Sequence, residues 1–316
     1  MSEGAEERLL FREAADLAIR LQNDPANPVS LEMVRAWAAR SPGHAAAWAR
    51  IAQIHGMTGK VLGDQRRAAE GLLTRRTMVV GGLIGLGAMA AGTWLGPQAL
   101  RHARADEATS TGEIRRVALA DGSLITLGPD SMLAIHFSEQ RREVSLLDGM
   151  AFFEVARDAA RPFCVVAGPV SATAIGTAFD VSSEGGSICV TVDQGIVDIR
   201  GPNTPLGAGE RLAVGDWITL DPASNKMARG VRDASQIAAW REGLVIADGE
   251  TVSAMVARIA RWQPGHVVMA DPFLGSRIVS GVFDLSNPVR ALEAVVRPFG
   301  ARVRQIGPFA TVISPV

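Results

Sequence analysis

Side chains that could perform catalysis are few and widely spaced in this sequence. After residue 101, His102, His136 and His266 stand far apart, whereas zinc sites take their ligands at short, regular spacings. The sequence also lacks a Gly-x-Ser-x-Gly elbow, an HExxH helix and a Walker loop. Asp121 and Asp148 each precede a glycine, and Asp-Gly pairs are typical of turns. We therefore expect no enzymatic activity, with no catalytic, cofactor-binding or metal-binding residue.

The cysteine content excludes a structural role for zinc or for a disulfide framework. Cys164 and Cys189 are the only cysteines, which is too few for either device. Both lie in apolar stretches that read as strands, so we favour two free, buried thiols. A disulfide between them is the alternative if the compartment is oxidising.

The composition indicates a protein of several domains without affinity for nucleic acid. The chain has 316 residues, of which 47% are hydrophobic and 21% charged, so it can bury sizeable cores. Its formal net charge is −1, whereas nucleic-acid-binding proteins present a concentrated basic face. We expect two or three domains and no direct contact with nucleic acid.

A transmembrane helix is predicted for residues 77–100. The stretch from Thr77 to Leu100 contains no charged residue and no histidine, and its length suffices to cross a hydrocarbon layer of roughly 30 Å. Four arginines precede it, and the two that follow are soon joined by acidic residues. These six residues are Arg66, Arg67, Arg75 and Arg76 before the stretch and Arg101 and Arg104 after it. The positive-inside rule therefore places the N-terminus in the cytoplasm and the C-terminus in the periplasm.

The same region suggests two possible export routes. Thr74, Arg75 and Arg76, followed by the apolar run that begins at Met78, resemble a twin-arginine signal inside the chain. Such a signal would carry the downstream part across the membrane after folding. The general secretory route is the alternative, and the sequence leaves both open.

Residues 1–70 are predicted to form a small all-α bundle. Apolar residues recur at helical spacing from Leu10 to Leu21, and two prolines within Asn23–Pro28 end this pattern. Ser30 is expected to cap a second helix that carries Trp37, and a third helix follows Ser41-Pro42-Gly43. We expect Trp37 and Trp48 to fill the core of the bundle, whose remaining apolar surface suits a partner helix.

Residues 111–220 are predicted to be all-β. Short alternating strands recur at intervals of about 8 to 12 residues and are separated by turn signals such as Asp121-Gly122 and Asp148-Gly149. After a polar linker at Asp221–Asp233, residues 234–316 alternate strand and helix patterns in a βαββαβ order. The chain is thus multidomain, with an α+β domain at its C-terminus.

Several motifs, taken in order, resemble the FecR family of sigma regulators. The motifs are Leu119-Ala120-Asp121-Gly122-Ser123 with Leu127 and Ser131, then Arg161-Pro162-Phe163, Ile175–Val181 and Leu206–Glu210. The N-terminal part, with Trp37, Ser41–His44 and Ala47-Trp48, is similar to the cytoplasmic anti-sigma domain of that family. The C-terminal part is similar to the short periplasmic STN domain of TonB-dependent transducers and secretins. The resemblance covers nearly the whole chain.

This resemblance implies a signalling function across the inner membrane. The cytoplasmic helices would bind an extracytoplasmic-function sigma factor, with Trp37, Trp48 and Ile51 as candidate contact residues. The periplasmic region would be solenoid-like and would receive a signal from the N-terminal signalling domain of a TonB-dependent outer-membrane transducer that handles iron-siderophore ligands. Periplasmic and intramembrane proteases would then release the cytoplasmic fragment. The sequence does not say whether the regulator inhibits sigma or is required for its activity.

The candidate transducer-binding residues lie on one β-prone run, Val279-Ser280-Gly281-Val282-Phe283. Its glycine, Gly281, would permit close backbone approach by a partner strand, while Val279, Val282 and Phe283 supply apolar contacts. The alternative is a central strand whose side chains fill the layers of the C-terminal domain.

A non-enzymatic structural protein of the cell envelope is the second functional class that we consider. Such a protein would dock onto a secretin ring or bind polysaccharide, and we would expect an exposed aromatic platform in its β region. Phe152, Phe153, Phe163 and Phe179 instead fall in strand patterns that predict burial.

The predicted topology can be tested with reporter fusions. A phosphatase fused after Thr111 should be active in the periplasm, and the same enzyme fused near Gly63 should be inactive, because the stronger basic cluster precedes the apolar stretch. Immunoblots of both fusions control for expression. The reverse pattern of activity would contradict every location assigned above.

Overall fold

The computed structural model describes residues 3–23, 27–54, 102–184, 186–271, 273–307 and 309–315. The α-helices of these residues are α1 (Glu3–Asn23), α2 (Pro28–Ala38), α3 (Pro42–Ile54), α4 (Val252–Ala260) and α5 (Pro288–Val296). None of the described helices combines the length and the apolar character needed to span a membrane. The candidate span Thr77–Leu100 lies outside the described residues.

Helices α1, α2 and α3 form the expected N-terminal bundle. The second helix begins earlier than predicted, because the Oδ1 atom of Asn27 accepts hydrogen bonds from the backbone N–H of Val29 at 2.9 Å and of Ser30 at 3.4 Å. Ser30 is therefore inside α2, and Pro28 occupies the first helical turn, where a missing N–H costs nothing. The third helix is present as predicted but starts at Pro42, so that Pro42 and Gly43 lie in its first turn rather than before it.

The β region is built from strands β1 to β13. Their bounds are β1 (Glu107–Ala108), β2 (Arg115–Ala118), β3 (Leu124–Leu127), β4 (Met132–Phe137), β5 (Arg142–Glu154), β6 (Phe163–Ala167), β7 (Val170–Ala174), β8 (Ala178–Glu184), β9 (Ser187–Gln194), β10 (Val197–Gly201), β11 (Gly207–Leu212), β12 (Asp216–Asp221) and β13 (Lys226–Val231). The all-β prediction for this region is thus confirmed.

The strands form two sheets that share β5. The first half of β5 pairs with β4 and, in parallel, with β6, whereas its second half pairs with β3 and β8. One sheet has the order β1-β4-β5-β6-β7-β10-β11, and the other has the order β2-β3-β5-β8-β9-β12-β13. The solenoid expectation is wrong, because β5 with β6 is the single parallel pair among the described strands of this region. The tight turns that suggested a solenoid instead join antiparallel neighbours as hairpins.

The Asp148-Gly149 pair lies inside β5, so the predicted turn at this position is wrong. Opposite β4 the register shifts between Met132 and Leu133, which leaves a bulge in β5 around Leu147. Gly149 has a φ of 90°, and a Cβ atom there would overlap the Ser131 side chain. The bulge bends the strand, and the bend carries it from one sheet into the other.

The space between the sheets is filled by aromatic and aliphatic side chains from both. Phe153, Phe163 and Phe179 are completely buried there, and the rings of Phe153 and Phe179 stack with centroids 5.3 Å apart. Phe152 is also buried, but on the opposite face of β5. The predicted burial of all four rings is confirmed, so none of them forms an exposed aromatic platform.

A buried ion pair explains the Asp121-Gly122-Ser123 turn. Arg142 is 1% exposed, and its guanidinium donates to Asp121 Oδ2 at 2.7 Å and to the backbone oxygens of Ala156 at 3.0 Å and Arg161 at 2.6 Å. Burial alone would raise the pKa of Asp121, but hydrogen bonds from Ser123 and Arg142 hold that pKa below its usual value. The turn therefore supplies the counter-charge that a buried arginine requires.

The segment from Asp221 to Asp233, predicted as a polar linker, contains strand β13. Residues Lys226–Val231 pair antiparallel with β12 and extend the second sheet beyond Leu220. All six residues of β13 are at least partly exposed, as on an edge strand, and the linker prediction is wrong for Lys226–Val231.

The C-terminal part forms an α+β domain around helices α4 and α5. Its strands are β14 (Leu244–Thr251), β15 (His266–Met269), β16 (Ile278–Asp284), β17 (Ala301–Ile306) and β18 (Ala310–Pro315). Strands β14 and β16 form a two-stranded antiparallel sheet, and β15, β18 and β17 form a three-stranded one. The order is therefore βαββαββ, and the last two strands, β17 and β18, form a hairpin.

The close approach at Gly149 can be tested by substitution with alanine. Gly149→Ala should lower the free energy of unfolding by about 1–2 kcal/mol for the left-handed backbone and by about 1–3 kcal/mol more for the overlap with Ser131. Gly186→Ala is the matched control, since Gly186 has a φ of 84° but open space around it. Equal destabilisation of both variants in denaturant unfolding would contradict the role of the Ser131 contact.

Candidate partner-binding surfaces

The candidate sigma-binding residues lie in and around the core of the N-terminal bundle. Trp37 is 6% exposed, and its indole Nε1 donates to Glu13 Oε2 on α1 at 2.9 Å. Its ring also meets the edge of the His44 imidazole, with centroids 4.7 Å apart. Ile51 is completely buried, whereas Trp48 is half-buried at the margin of the same cluster. Trp37 thus joins α1, α2 and α3, while Trp48 retains surface that a partner could reach.

The candidate transducer-binding residues lie on β16, which pairs with β14 alone in the described part of the domain. Val279, Val282 and Phe283 are all buried, and Gly281 is buried with them. Phe283 and Val279 point into the core of the C-terminal domain, whereas Val282 belongs to a different cluster on the opposite face of the sheet. Strand β16 is therefore not central in a described sheet, but its apolar side chains are buried, as the alternative interpretation expected, and they divide between two faces.

The two sets of candidate residues meet in one apolar cluster. Helices α1 and α3 pack on β16, and α3 also packs on β14. The buried members are Phe11, Ala14, Ala15, Ala18, Trp37, Ala47, Ile51 and Ile54 from the helices and Ala239, Leu244 and Val282 from the C-terminal part. No local sequence pattern predicts this contact, although the helical periodicity of residues 1–70 indicates spare apolar surface.

Two ion pairs border this apolar contact. Arg8 on α1 donates through Nη2 to both carboxylate oxygens of Asp193, at 2.7 and 2.9 Å, and the Asp193 side chain is only 4% exposed. Arg50 on α3 lies 3.0 Å from Asp233 through Nε and also contacts Glu7 at 2.7 Å. A nearly buried carboxylate destabilises the folded state unless a cation lies beside it. The pair of Arg8 and Asp193 therefore favours one arrangement of the two surfaces, which apolar packing alone would not select.

A second interface fastens the C-terminal domain to the β region. Arg261, just after α4, lies 3.0 Å from Asp148 Oδ1 and 2.9 Å from Glu184 Oε1, and it also donates to the backbone oxygen of Asp130 at 2.7 Å. Met150 and Phe152 of β5 enter the core of the C-terminal domain. The two parts are therefore joined by the ion pairs of Arg261 and by a shared hydrophobic core.

Asp180 lies in this second interface. Its Oδ1 accepts from the indole Nε1 of Trp240, 60 positions further along the chain, at 3.0 Å. Burial raises the pKa of Asp180 to about 6, and the hydrogen bond from Trp240 and the charge of Arg241 only partly oppose that shift. The guanidinium of Arg241 also stacks on the Phe152 ring, 3.5 Å from its centroid.

A cavity of about 320 Å³ opens between the two parts. Its lining includes Glu184, Cys189, Arg232, Glu250 and Arg258. The acidic and basic groups pair across it, with Arg258 3.3 Å from Glu184 and Arg232 3.6 Å from Glu250. Within the described ranges, no three His, Cys, Asp or Glu side chains are grouped so that they could hold a metal ion.

Both cysteines are free thiols, as favoured above, and the alternative of a disulfide between them is not found. Cys164 and Cys189 are half-buried and do not bond to each other. Burial raises the pKa of the Cys164 thiol, so this side chain is protonated and unreactive at neutral pH.

Comparison with known families and structures identifies the β region. Residues 105–198 match the family model described as FecR protein, and residues 12–54 match a domain of unknown function, DUF4880. This chain carries a FecR domain. The match to the FecR domain covers β1 to β9 and the start of β10, and the remaining strands, up to β13, continue the same two sheets.

Solved structures share the fold of a large part of this chain. Two crystal structures, at 1.65 Å and 2.50 Å, come from a protein of Parabacteroides distasonis ATCC 8503 that is described as a putative anti-sigma factor. Each aligns with a TM-score of 0.60 and 23% sequence identity, over 66% of this chain and 98% of that chain. No curated protein sequence matches this chain significantly.

The raised pKa of Asp180 predicts a pH-dependent stability. Since its pKa is near 6 in the folded state and the ordinary value for an aspartate is 3.8, the folded state binds the proton more tightly than the unfolded state. The stabilising contribution of this group is complete below pH 4 and is lost as the pH rises through 6, a change on the order of 3 kcal/mol.

Asp180→Asn should abolish this part of the pH dependence, because an amide keeps an acceptor for Trp240 and cannot ionise. Unfolding by denaturant at pH 4, 5, 6 and 7 would measure the effect. Asp198→Asn is the control, since Asp198 lies at the surface, where it pairs with Arg211. An unchanged slope in Asp180→Asn would show that this carboxyl is not the group responsible.

Proposed function

We propose that this chain is an anti-sigma regulator. The observation that carries the proposal is the combination, in one chain, of a FecR domain at residues 105–198 and a DUF4880 match at residues 12–54, over the helical bundle. The description of the similar crystal structures as a putative anti-sigma factor supports the same role. A regulator of this kind needs a binding surface at each end of the chain and requires no catalytic group.

The N-terminal bundle is the proposed sigma-binding part. Its apolar face extends beyond what three short helices need for their own core, because α1 and α3 have residues left to pack on β14 and β16. A sigma factor would present helices to this face, with Ile51 and the half-buried Trp48 as candidate contacts. Trp37 acts mainly by holding the bundle together.

The finer proposal places the two ends of the chain on opposite sides of the inner membrane. Residues 77–100 would cross the bilayer, with α1–α3 in the cytoplasm and the FecR and C-terminal domains in the periplasm. The signalling domain of a TonB-dependent transducer would bind β16, whose outer edge is not paired with another described strand. Regulated proteolysis would then release the bundle with its sigma factor.

The structural-protein alternative has less support. It called for an exposed aromatic platform in the β region, yet Phe152, Phe153, Phe163 and Phe179 are each at most 1% exposed. The exposed rings of Phe273 and Phe309 belong to the C-terminal domain instead.

The proposal predicts different effects for the two tryptophans. Trp37→Ala should lose about 3–5 kcal/mol of bundle stability and, with it, sigma binding, because it empties a buried site between three helices. Trp48→Ala should keep the helical circular dichroism signal and weaken sigma binding directly. Copurification of the full chain with an extracytoplasmic-function sigma factor encoded beside its gene would measure binding.

Met33→Ala is the control for this experiment, since Met33 is an apolar residue on α2 that is 43% exposed. It should change neither stability nor binding. If every variant, and the unaltered chain, failed to retain the sigma factor, the proposed function would be wrong.

A further inference from the structure

The contact between the helical bundle and β16 cannot coexist with the proposed membrane topology in one chain. A bilayer core of roughly 30 Å would separate α1–α3 from the C-terminal domain if residues 77–100 crossed it. In the structure, however, Ile51 and Val282 belong to one apolar cluster, and Arg8 bonds directly to Asp193. The contact therefore requires both ends of the chain in the same compartment.

The only stage at which both ends share a compartment is before the C-terminal part has been exported. A newly made chain has every residue in the cytoplasm. The twin-arginine-like sequence Thr74-Arg75-Arg76 fits this stage, because that route moves domains that have already folded. A folded C-terminal domain would then present the face of β14 and β16 to the bundle.

The docked surfaces combine buried apolar side chains with paired charges. The face that α1 and α3 cover includes Leu244 and Val282, which are 4% and 0% exposed in the docked state. Asp193 depends on Arg8 for its counter-charge. At the other margin, Asp233 receives Arg50 and also accepts from the Ser235 backbone at 3.1 Å, which holds its carboxylate in place.

Docking would also block sigma binding. The helix face that packs on β16 contains Ile51 and borders Trp48, the residues proposed to contact a sigma factor. This helix face cannot contact β16 and a sigma factor at the same time. The occupied surface on the other side includes Val282, one of the residues proposed to face the transducer.

We propose that the docked structure is a closed form of the unexported chain, in which the C-terminal domain covers the sigma-binding face of its own bundle. Export of the C-terminal domain separates the two and uncovers the face. Sigma capture thereby becomes available only to chains whose receptor domain has reached the periplasm. This inference rests on the proposed function, since it assigns the covered face to sigma binding.

The test uses the full chain, held in the cytoplasm by Arg75→Lys with Arg76→Lys. In this background Arg8→Glu places two carboxylates together at the nearly buried Asp193 site and should open the closed form. Adding Asp193→Lys to Arg8→Glu restores opposite charges and should close it again. Arg12→Glu, the same charge change at an exposed position of α1, is the control.

Hydrogen–deuterium exchange measures opening without any sigma factor. Backbone amides of α1, α3 and β16 should exchange roughly tenfold faster in Arg8→Glu than in the parent or the Arg12→Glu control. Asp193→Asn, which leaves the bundle itself unaltered, should have the same effect. If neither Arg8→Glu nor Asp193→Asn changes exchange at these amides, the closed form does not exist and the inference is overturned.

Copurification with the sigma factor encoded beside the gene measures whether the closed form blocks sigma binding. The unexported parent should fail to retain it, Arg8→Glu should retain it, and the Arg8→Glu, Asp193→Lys pair should again fail. Equal retention by the parent and Arg8→Glu would overturn the inference and leave the proposed function intact. If exchange shows opening but no chain, exported or not, retains the sigma factor, the proposed function is overturned instead.

Discussion

The register of β5 is the constraint on which most of this structure depends. Successive side chains of a strand point to opposite faces, so Ala151 and Phe153 fill the FecR core while Met150 and Phe152 enter the core of the C-terminal domain. A shift by one residue would exchange the two sets and ruin both cores. The bulge before Gly149 sets this register, because it fixes where the strand leaves β4 and joins β3 and β8.

Because one strand serves two cores, the FecR domain and the C-terminal domain behave as a unit. Trp240 with Asp180, and Arg261 with Glu184 and Asp148, add directional bonds to the shared apolar contact. The helical bundle is attached differently. It contributes its own core, and it meets the rest of the chain through one apolar face on β14 and β16 and through two bordering ion pairs, to Asp193 and to Asp233.

Local sequence patterns predicted most of the helices and strands correctly. They failed where contacts between residues far apart in the sequence determine the conformation. Periodicity identified the three N-terminal helices and the βα alternation after residue 240, because each amphipathic face is set by neighbouring residues. Asp148-Gly149 looked like a turn, since nothing nearby shows that Ser131 requires a glycine opposite it. The bond between Arg8 and Asp193 joins residues 185 positions apart, and no spacing rule reaches that far. The candidate residues on β16 were identifiable as apolar, but their division between two faces depends on which element packs on each side.

The position of Arg261 has a mechanical consequence. Its guanidinium donates a hydrogen bond to the backbone oxygen of Asp130, and its own carbonyl oxygen accepts one from the Gly112 N–H at 2.9 Å. Gly112 lies only a few residues after β1, whose two residues make the shortest strand of the sheets. Tension applied to the C-terminal domain would thus reach the start of the FecR domain through the end of α4, in addition to the sheets that Arg261 contacts through Asp148 and Glu184. The ladder of β1 with β4 has only two residue pairs, so along this route we expect it to open at a lower load than the longer pairings of β5.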